Sequence, residues 1–298
     1  MYSFYSFETS DLRRMPRRRD ESNKGDYGKL LCVCGSRGMS GAAFLCAKAA
    51  YRTGVGLVRI LTAEDNRIPL QTSLPEAIVS TYDFITPDVS YISDSVTWAD
   101  AVVIGCGLGV SDTSKKVLCA VLDSACGKPL IVDADALNMI SADECLREKL
   151  SSAIITPHPL EASRLSGLSV DEILSDTPRA ASELSNELGV VCVIKRHETV
   201  VSDGSTRIYV NNSGNHGMAT GGSGDVLAGI TGAIAAQNKS GALSPMDVAA
   251  LSVYVHGLAG DFAAENVGEY SLMASDIIDH LPAVLKNVGK PKKTYRCI

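Results

Sequence analysis

"KLLCVCGSRGMSGAAFLCAKAAYRTGVGLVRILT", residues 29–62, decides the fold. Its opening run, "KLLCVCG" (29–35), is short, apolar and ended by Gly35, which reads as a buried strand. "SGAAFLCAKAAYRTG" (40–54) is alanine-rich and reads as a helix, with Ser40 as N-cap and Gly54 as stop. "GLVRILT" then returns as a strand. Two strands on either side of a helix form the repeating unit of a parallel sheet.

The same alternation continues outward. "DAVVIG" (100–105) reads as a strand and is followed by a glycine turn and a helix near 113–126. "KPLIVDAD" (128–135), "SSAIITPHP" (151–159) and "GVVCVIK" (189–195) read as further strands, and "TVVSDGSTRIYVN" (199–211) as a hairpin around Asp203 and Gly204. Helices are expected at about 225–237, 245–264 and 273–287. The pattern predicts an α/β layered fold with a mostly parallel central sheet and helices on both faces. No linker-like composition divides the chain, so residues 24–298 are expected to form a single domain behind a flexible basic arm at 1–23. In such sheets ligands bind beyond the carboxyl ends of the strands, where the glycine turns of this chain fall.

Composition excludes several classes. The 298 residues are 45% hydrophobic and 21% charged, as in an ordinary globular protein. No window approaches the roughly 18 apolar residues of a membrane span, and the N-terminus lacks a secretory pattern, so a cytoplasmic location and no membrane partner are expected. A net charge of −6 argues against nucleic acid as a partner. The cluster Arg13, Arg14, Arg17, Arg18 and Arg19 reads first as a solvated arm, otherwise as an oligomer contact or a guide for anionic substrates. Nine cysteines are an odd number, and Cys32, Cys34, Cys46, Cys119 and Cys192 lie inside apolar runs. The C-x-C at Cys32 and Cys34 has no partner pair at zinc spacing, so these residues read as reduced core thiols.

Four strand-end segments are candidates for chemistry. In "HGMATGGSGDVLAG" (216–229), the backbone N–H groups of Gly222, Ser223 and Gly224 at the start of a helix suit an anion such as phosphate. Asp225 is then either a helix cap or a general base beside the transferring group. The motif is neither a Walker A nor a G-x-G-x-x-G loop. In "TPHPLEASRL" (156–165), Glu161 is either an acid that orients Mg²⁺ and its waters or a first-turn acid in a proline-started helix. "GCGLGVS" (105–111) is a glycine turn, and "VDADALN" (132–138) ends a strand with Asp133 and Asp135. Lys195 ends another strand and is placed to meet phosphate. His216 and His256 read as structural.

Together, "KGDYGKLLCVCGSRGMSGAAFLCAKAAYRTGVGLV", "TPHPLE", "NNSGNHGMATGGSGDVLAG", "VYVHGLAGDFAAE" and "ASDIIDHLP" resemble the ADP/ATP-dependent NAD(P)H-hydrate dehydratases of the ribokinase-like carbohydrate kinase superfamily, over roughly residues 24–284. The resemblance implies a metabolite-repair lyase. A nucleotide phosphorylates the carbon-6 hydroxyl of the S-epimer of NADH or NADPH hydrate, and phosphate then leaves. It implies Asp225 as catalytic base, also facing the substrate, with Ala42, Gly107 and His158 contacting the dinucleotide. Lys195, Arg196, His197, Glu198 and Thr199 would line the nucleotide together with Gly222, Ser223 and Gly224. Glu161 would organise Mg²⁺, and a homotetramer is expected. The wording "ATGGSGD" resembles the branch that uses ADP and releases AMP; ATP is the alternative donor.

The chain departs from the family's usual text at Cys106, Leu160 and His216, where proline, glycine and proline are common, and at Arg196. Some relatives carry an N-terminal epimerase domain, which the roughly 23 residues ahead of the match are not expected to supply. Two other readings share the glycine turn: a thiazole or pyrimidine kinase of the same fold, and a nucleotide-binding module without catalysis.

Overall fold

The computed structural model describes residues 2–286 and residue 288. Ten strands form one sheet among these residues: β1 (Ser3–Tyr5), β2 (Lys29–Val33), β3 (Leu57–Ala63), β4 (Ile78–Tyr82), β5 (Ala101–Ile104), β6 (Leu130–Val132), β7 (Ile154–Ile155), β8 (Val191–Ile194), β9 (Val200–Ser202) and β10 (Arg207–Val210). The strand order is β1-β10-β9-β8-β7-β6-β5-β2-β3-β4. From β4 to β8 every pairing is parallel. The pairs β8–β9 and β9–β10 are antiparallel, and β9 and β10 form the expected hairpin with Gly204 in its turn. Helices α1 (Ser40–Thr53), α2 (Arg67–Ser73), α3 (Val89–Trp98), α4 (Asp112–Ser124), α5 (Ala134–Ser141), α6 (Glu144–Arg147), α7 (Pro159–Ser166), α8 (Val170–Ser175), α9 (Thr177–Leu188), α10 (Ser223–Gln237), α11 (Pro245–Val267) and α12 (Ala274–Leu285) complete the fold.

The central strands are apolar on both faces because both faces are covered. Leu30 and Cys32 of β2 and Val103 of β5 pack toward α1, α10, α11 and α12. Leu31, Val33, Val102 and Ile104, which alternate with them, pack toward α3, α4, α5, α7 and α9. Helix α10 is buried on nearly every side, and Gly229 lets it cross α1 closely: a Cβ there would overlap the Cys46 carbonyl oxygen. The layered α/β architecture expected above is therefore present. The helix expected to reach residue 287 is described to Leu285, and residues 289–298 of the expected domain lie outside the described residues.

Two local expectations are corrected. Ser40 is the first residue of α1 and makes no cap; the N-cap position is Met39, without a side-chain bond. The larger correction concerns residues 1–23, expected as a solvated arm. Strand β1 pairs in parallel with β10, and Phe7, Leu12 and Met15 are buried. Phe7 packs against Tyr209 and Tyr254, with ring centroids 4.9 and 6.1 Å apart. Arg14 pairs with Asp247 at 2.5 Å, and Arg18 donates to the Gly54 carbonyl at 2.6 Å. Tyr5 and Phe7, packed on Tyr209 and Tyr254, supply the apolar surface that an arginine-rich arm lacks.

Candidate active site

Beyond the carboxyl ends of β6, β7, β8 and β10, a cavity of about 880 Å³ opens between the strand ends and the N-terminus of α10. Asp133 follows β6 and is almost fully buried. The segment after β7 carries His158 and Glu161, the segment after β8 begins with Lys195, and the loop from β10 leads through residues 211–222 to α10. Parallel strands deliver all of these turns to one end of the sheet.

The cavity floor is an electrostatic cluster. Lys195 Nζ lies 2.7 Å from Asp133 Oδ1 and 3.9 Å from Glu161 Oε2. Burial alone would lower the Lys195 ammonium, but Asp133 and Glu161 hold it above its usual value. Burial raises the Glu161 carboxyl, with Lys195 opposing and Asp133 adding to the shift. Glu161 also satisfies the structural reading made for it. Its Oε2 accepts from His158 N at 2.9 Å, while His158 Nδ1 accepts from the N–H groups of Leu160 and Glu161, a reciprocal cap on the proline-started α7. One carboxylate therefore caps a helix and faces the cavity.

Asp225 differs. It sits in the first turn of α10, whose N-cap is Gly222 at φ 93°, a conformation that favours glycine; a Cβ there would also overlap Leu45. Asp225 accepts no backbone hydrogen bond among the described residues, so the cap reading does not hold. Burial first, then the neighbouring Cys46 and Asp133, push its carboxyl up to about 7. That value leaves the group able to accept a proton near neutrality. Gly222, Ser223 and Gly224 line the cavity beside it, so the first backbone N–H groups of α10 and the acid share one opening.

His158, Glu161, Lys195, Arg196, His197, Thr199 and Asp225 line the same cavity. Glu198 is not among the lining residues. Arg196 reaches it with only part of its side chain, because its guanidinium donates to Thr177 Oγ1 at 2.6 Å and to the Leu174 carbonyl at 3.3 Å. Ala42 and Gly107 also lie outside the lining; they meet each other where α1 faces the turn after β5. Asp135 anchors that turn by accepting from Gly109 N at 2.7 Å.

Residue-by-residue reading missed three features. His256, read as structural, lines the cavity with its Nε2 3.3 Å from Ser223 Oγ; burial lowers its pKa to about 4 and keeps it neutral. Asp261 holds the cavity loop, accepting from Gly214 N at 2.9 Å and from Asn215 Nδ2 at 3.1 Å. The "HGLAGD" text (256–261) carried part of the family resemblance and sets the two on one helix, a turn and a half apart, but nothing in it shows that either meets the cavity. Asn211 and Ser213 line the cavity from the loop itself, with no signal beyond their polarity.

A family model described as NAD(P)H-hydrate dehydratase, a carbohydrate-kinase type, matches residues 30–283. The chain belongs to the NAD(P)H-hydrate dehydratase family. It is 41% identical over 270 residues to the bifunctional NAD(P)H-hydrate repair enzyme Nnr of Escherichia coli (strain K12), a match covering 90% of this chain and 49% of that protein. The chain thus spans about half the length of the bifunctional relatives of this family. It is 37% identical over 264 residues to the ADP-dependent (S)-NAD(P)H-hydrate dehydratase of Neisseria meningitidis, covering 87% of this chain and 86% of the other. Among solved structures it is similar to the ADP/ATP-dependent NAD(P)H-hydrate dehydratase of Bacillus subtilis, co-crystallised with ATP and Mg²⁺, with a TM-score of 0.80, 29% identity, and 95% and 98% of the two chains covered. The fold is the ribokinase-like one, as expected for this dehydratase family. Among the described residues no helix is long and apolar enough to cross a membrane.

Proposed function

We propose that this chain dehydrates the S-epimer of NADH or NADPH hydrate to NAD(P)H, using ADP as phosphoryl donor and releasing AMP and phosphate. The observation that carries the reading is Asp225: an acid raised to about 7, free of any capping bond, beside the anion-suited N-terminus of α10. Family membership and the named relatives support the substrate class, and the "ATGGSGD" wording supports ADP over ATP.

Each group has a task in the chemistry. Asp225 takes the proton of the carbon-6 hydroxyl as that oxygen attacks the terminal phosphorus of the donor. The N–H groups of residues 222–224 meet the charge growing on the transferring phosphoryl, and AMP leaves. The carbon–oxygen bond of the new phosphate ester then breaks. Phosphate departs with the bonding electrons, and the adjacent ring carbon loses a proton as the double bond reforms. Phosphorylation makes this step possible because phosphate leaves far more readily than hydroxide.

Lys195 and residues 196–199 are assigned to the nucleotide side, with Arg196 acting through the backbone and stem. His158, Ala42 and Gly107 are assigned to the dinucleotide side. Ala42 and Gly107 lie outside the cavity lining, where α1 meets the turn after β5, and the family resemblance alone supports their assignment. The acids suit Mg²⁺ as an oxygen-preferring ion: Glu161 and Asp133, which both reach Lys195, offer hard donors, and His158 Nε2 lies 3.4 Å from Glu161 Oε1. Such a pair suits an ion that keeps most of its waters and relies on substrate phosphates. Held there, Mg²⁺ would supply neutralisation of the donor's phosphate charge. A cytoplasmic homotetramer completes the proposal.

The test incubates purified chain with NADH hydrate, Mg²⁺ and either ADP or ATP. Recovery of the reduced-nicotinamide absorbance, with AMP formed from ADP, is the expected result. A stable phosphorylated product without that recovery would make the chain a kinase instead. Light scattering on the same preparation reads the oligomer.

A further inference from the structure

Four of the thiols gather at one place. Cys32 and Cys34 lie two residues apart, on and just beyond β2. Cys46 comes from the middle of α1, and Cys106 lies in the turn after β5. None of the four has exposed surface. The sulfurs of Cys34, Cys46 and Cys106 lie within 4.8 Å of one another, and Cys32 Sγ is 3.8 Å from Cys46 Sγ. On the cavity side, Cys106 Sγ is 4.0 Å from Asp133 Oδ2.

Apolar filling alone does not bring sulfurs together. A cysteine used as a small hydrophobe needs only carbon neighbours, as Cys192 has on the opposite face of the sheet. Three sulfurs from three separate elements instead occupy corners suited to one ion. With metal–sulfur bonds of about 2.3 Å, tetrahedral geometry sets neighbouring sulfurs roughly 3.8 Å apart. Asp133 approaches one of the three sulfurs, with its Oδ2 4.0 Å from Cys106 Sγ. A divalent cation would also offset the negative charge that thiolates bring into a buried space.

We propose that Cys34, Cys46 and Cys106 form a binding site for a thiophilic divalent cation of the zinc class. Each thiol that ligates gives up its proton to solvent, and no oxidation occurs. The site stands on the sulfur geometry and does not depend on the role assigned to Asp225.

The test uses the full chain, reduced with a phosphine and kept free of oxygen, titrated with Co²⁺ as the spectroscopic probe. The expected result is a single Co²⁺ per chain with thiolate-to-cobalt charge-transfer absorption, displaced by Zn²⁺. Cys34→Ala and Cys46→Ala should each weaken Co²⁺ binding by more than roughly tenfold, while Cys145→Ala, which removes an exposed thiol, leaves it unchanged. Absence of the band at saturating Co²⁺, or a band that survives both core variants, overturns the site. Core substitutions can unfold a chain, so a second readout uses the unaltered protein. Zn²⁺ should shield Cys34, Cys46 and Cys106 from a maleimide in mild denaturant, mapped by peptide mass spectrometry. Equal labelling with and without Zn²⁺ also overturns the proposal.

Discussion

The N-terminal segment and the cavity floor each set a basic side chain against an acid, and the two pairs leave their surroundings in opposite states. Arg14 meets Asp247 at 2.5 Å at the start of α11. Burial would raise that acid, but Arg14 and Ser244 hold it below its usual range. Lys195 meets Asp133 at 2.7 Å, yet the neighbouring Glu161 and Asp225 both remain raised. The first pair satisfies the charges it touches and anchors chain. The second has more buried acid than cation, and so keeps an ionisable group poised near neutrality. The difference separates a region built to hold the fold from one built to move a proton.

The sharpest way to break this contrast is Asp225→Asn. Turnover is expected to fall by about 10²–10⁴-fold with nucleotide affinity retained, because a base is lost from the chemical step while the cradle stays. Steady-state rates beside nucleotide titration calorimetry measure it, and turnover near that of the unaltered chain removes Asp225 as base. Next comes Phe7→Ala, which opens a hole among Tyr5, Tyr209 and Tyr254. A loss of about 3 kcal/mol in urea unfolding is expected, with kcat unchanged. A chain unfolding at the original midpoint would show that the N-terminal segment is not part of the fold's core.

pH gives a smaller and continuous test. The base works when ionised, so kcat/KM should fall about tenfold per unit below a limb near pH 7. A rate independent of pH through that region contradicts the raised acid. The stability effect runs the other way. The folded chain holds the Asp225 proton up to about 7, whereas the unfolded chain releases it near 3.8, so stability declines as pH rises between those values. Asp225→Asn should remove that part of the decline, visible as a flatter profile of unfolding free energy against pH. The smallest effect belongs to Arg14→Ala, expected to cost about 1 kcal/mol or less because the pair is partly solvated. A larger loss in thermal unfolding would mean that the ion pair, and not the aromatic packing, anchors the segment.

Much of the site was legible from local text. The run "GGSGD" placed an acid at a helix start beside a phosphate-suited turn, and "TPHPLE" placed another in the first turn of a proline-started helix. The central strands stood out because burial on both faces makes them uninterrupted apolar runs. His256 did not stand out, since a histidine inside an apolar helix looks the same whether its ring meets core or cavity. The N-terminal segment misled because five arginines outweighed two aromatic residues, Tyr5 and Phe7, whose partners, Tyr209 and Tyr254, lie more than 200 residues away.

By itself the sequence determined the layered α/β plan, the order of the turns and the family, because periodicity, glycine turns and motif text are local properties. Only the tertiary structure decided that the first residues extend the sheet and that four cysteines meet at one point. It also decided that Asp225 is raised to about 7 while Asp247 is lowered. Charge state and cluster geometry depend on what other elements bring within a few ångströms, and no stretch of one element carries that information.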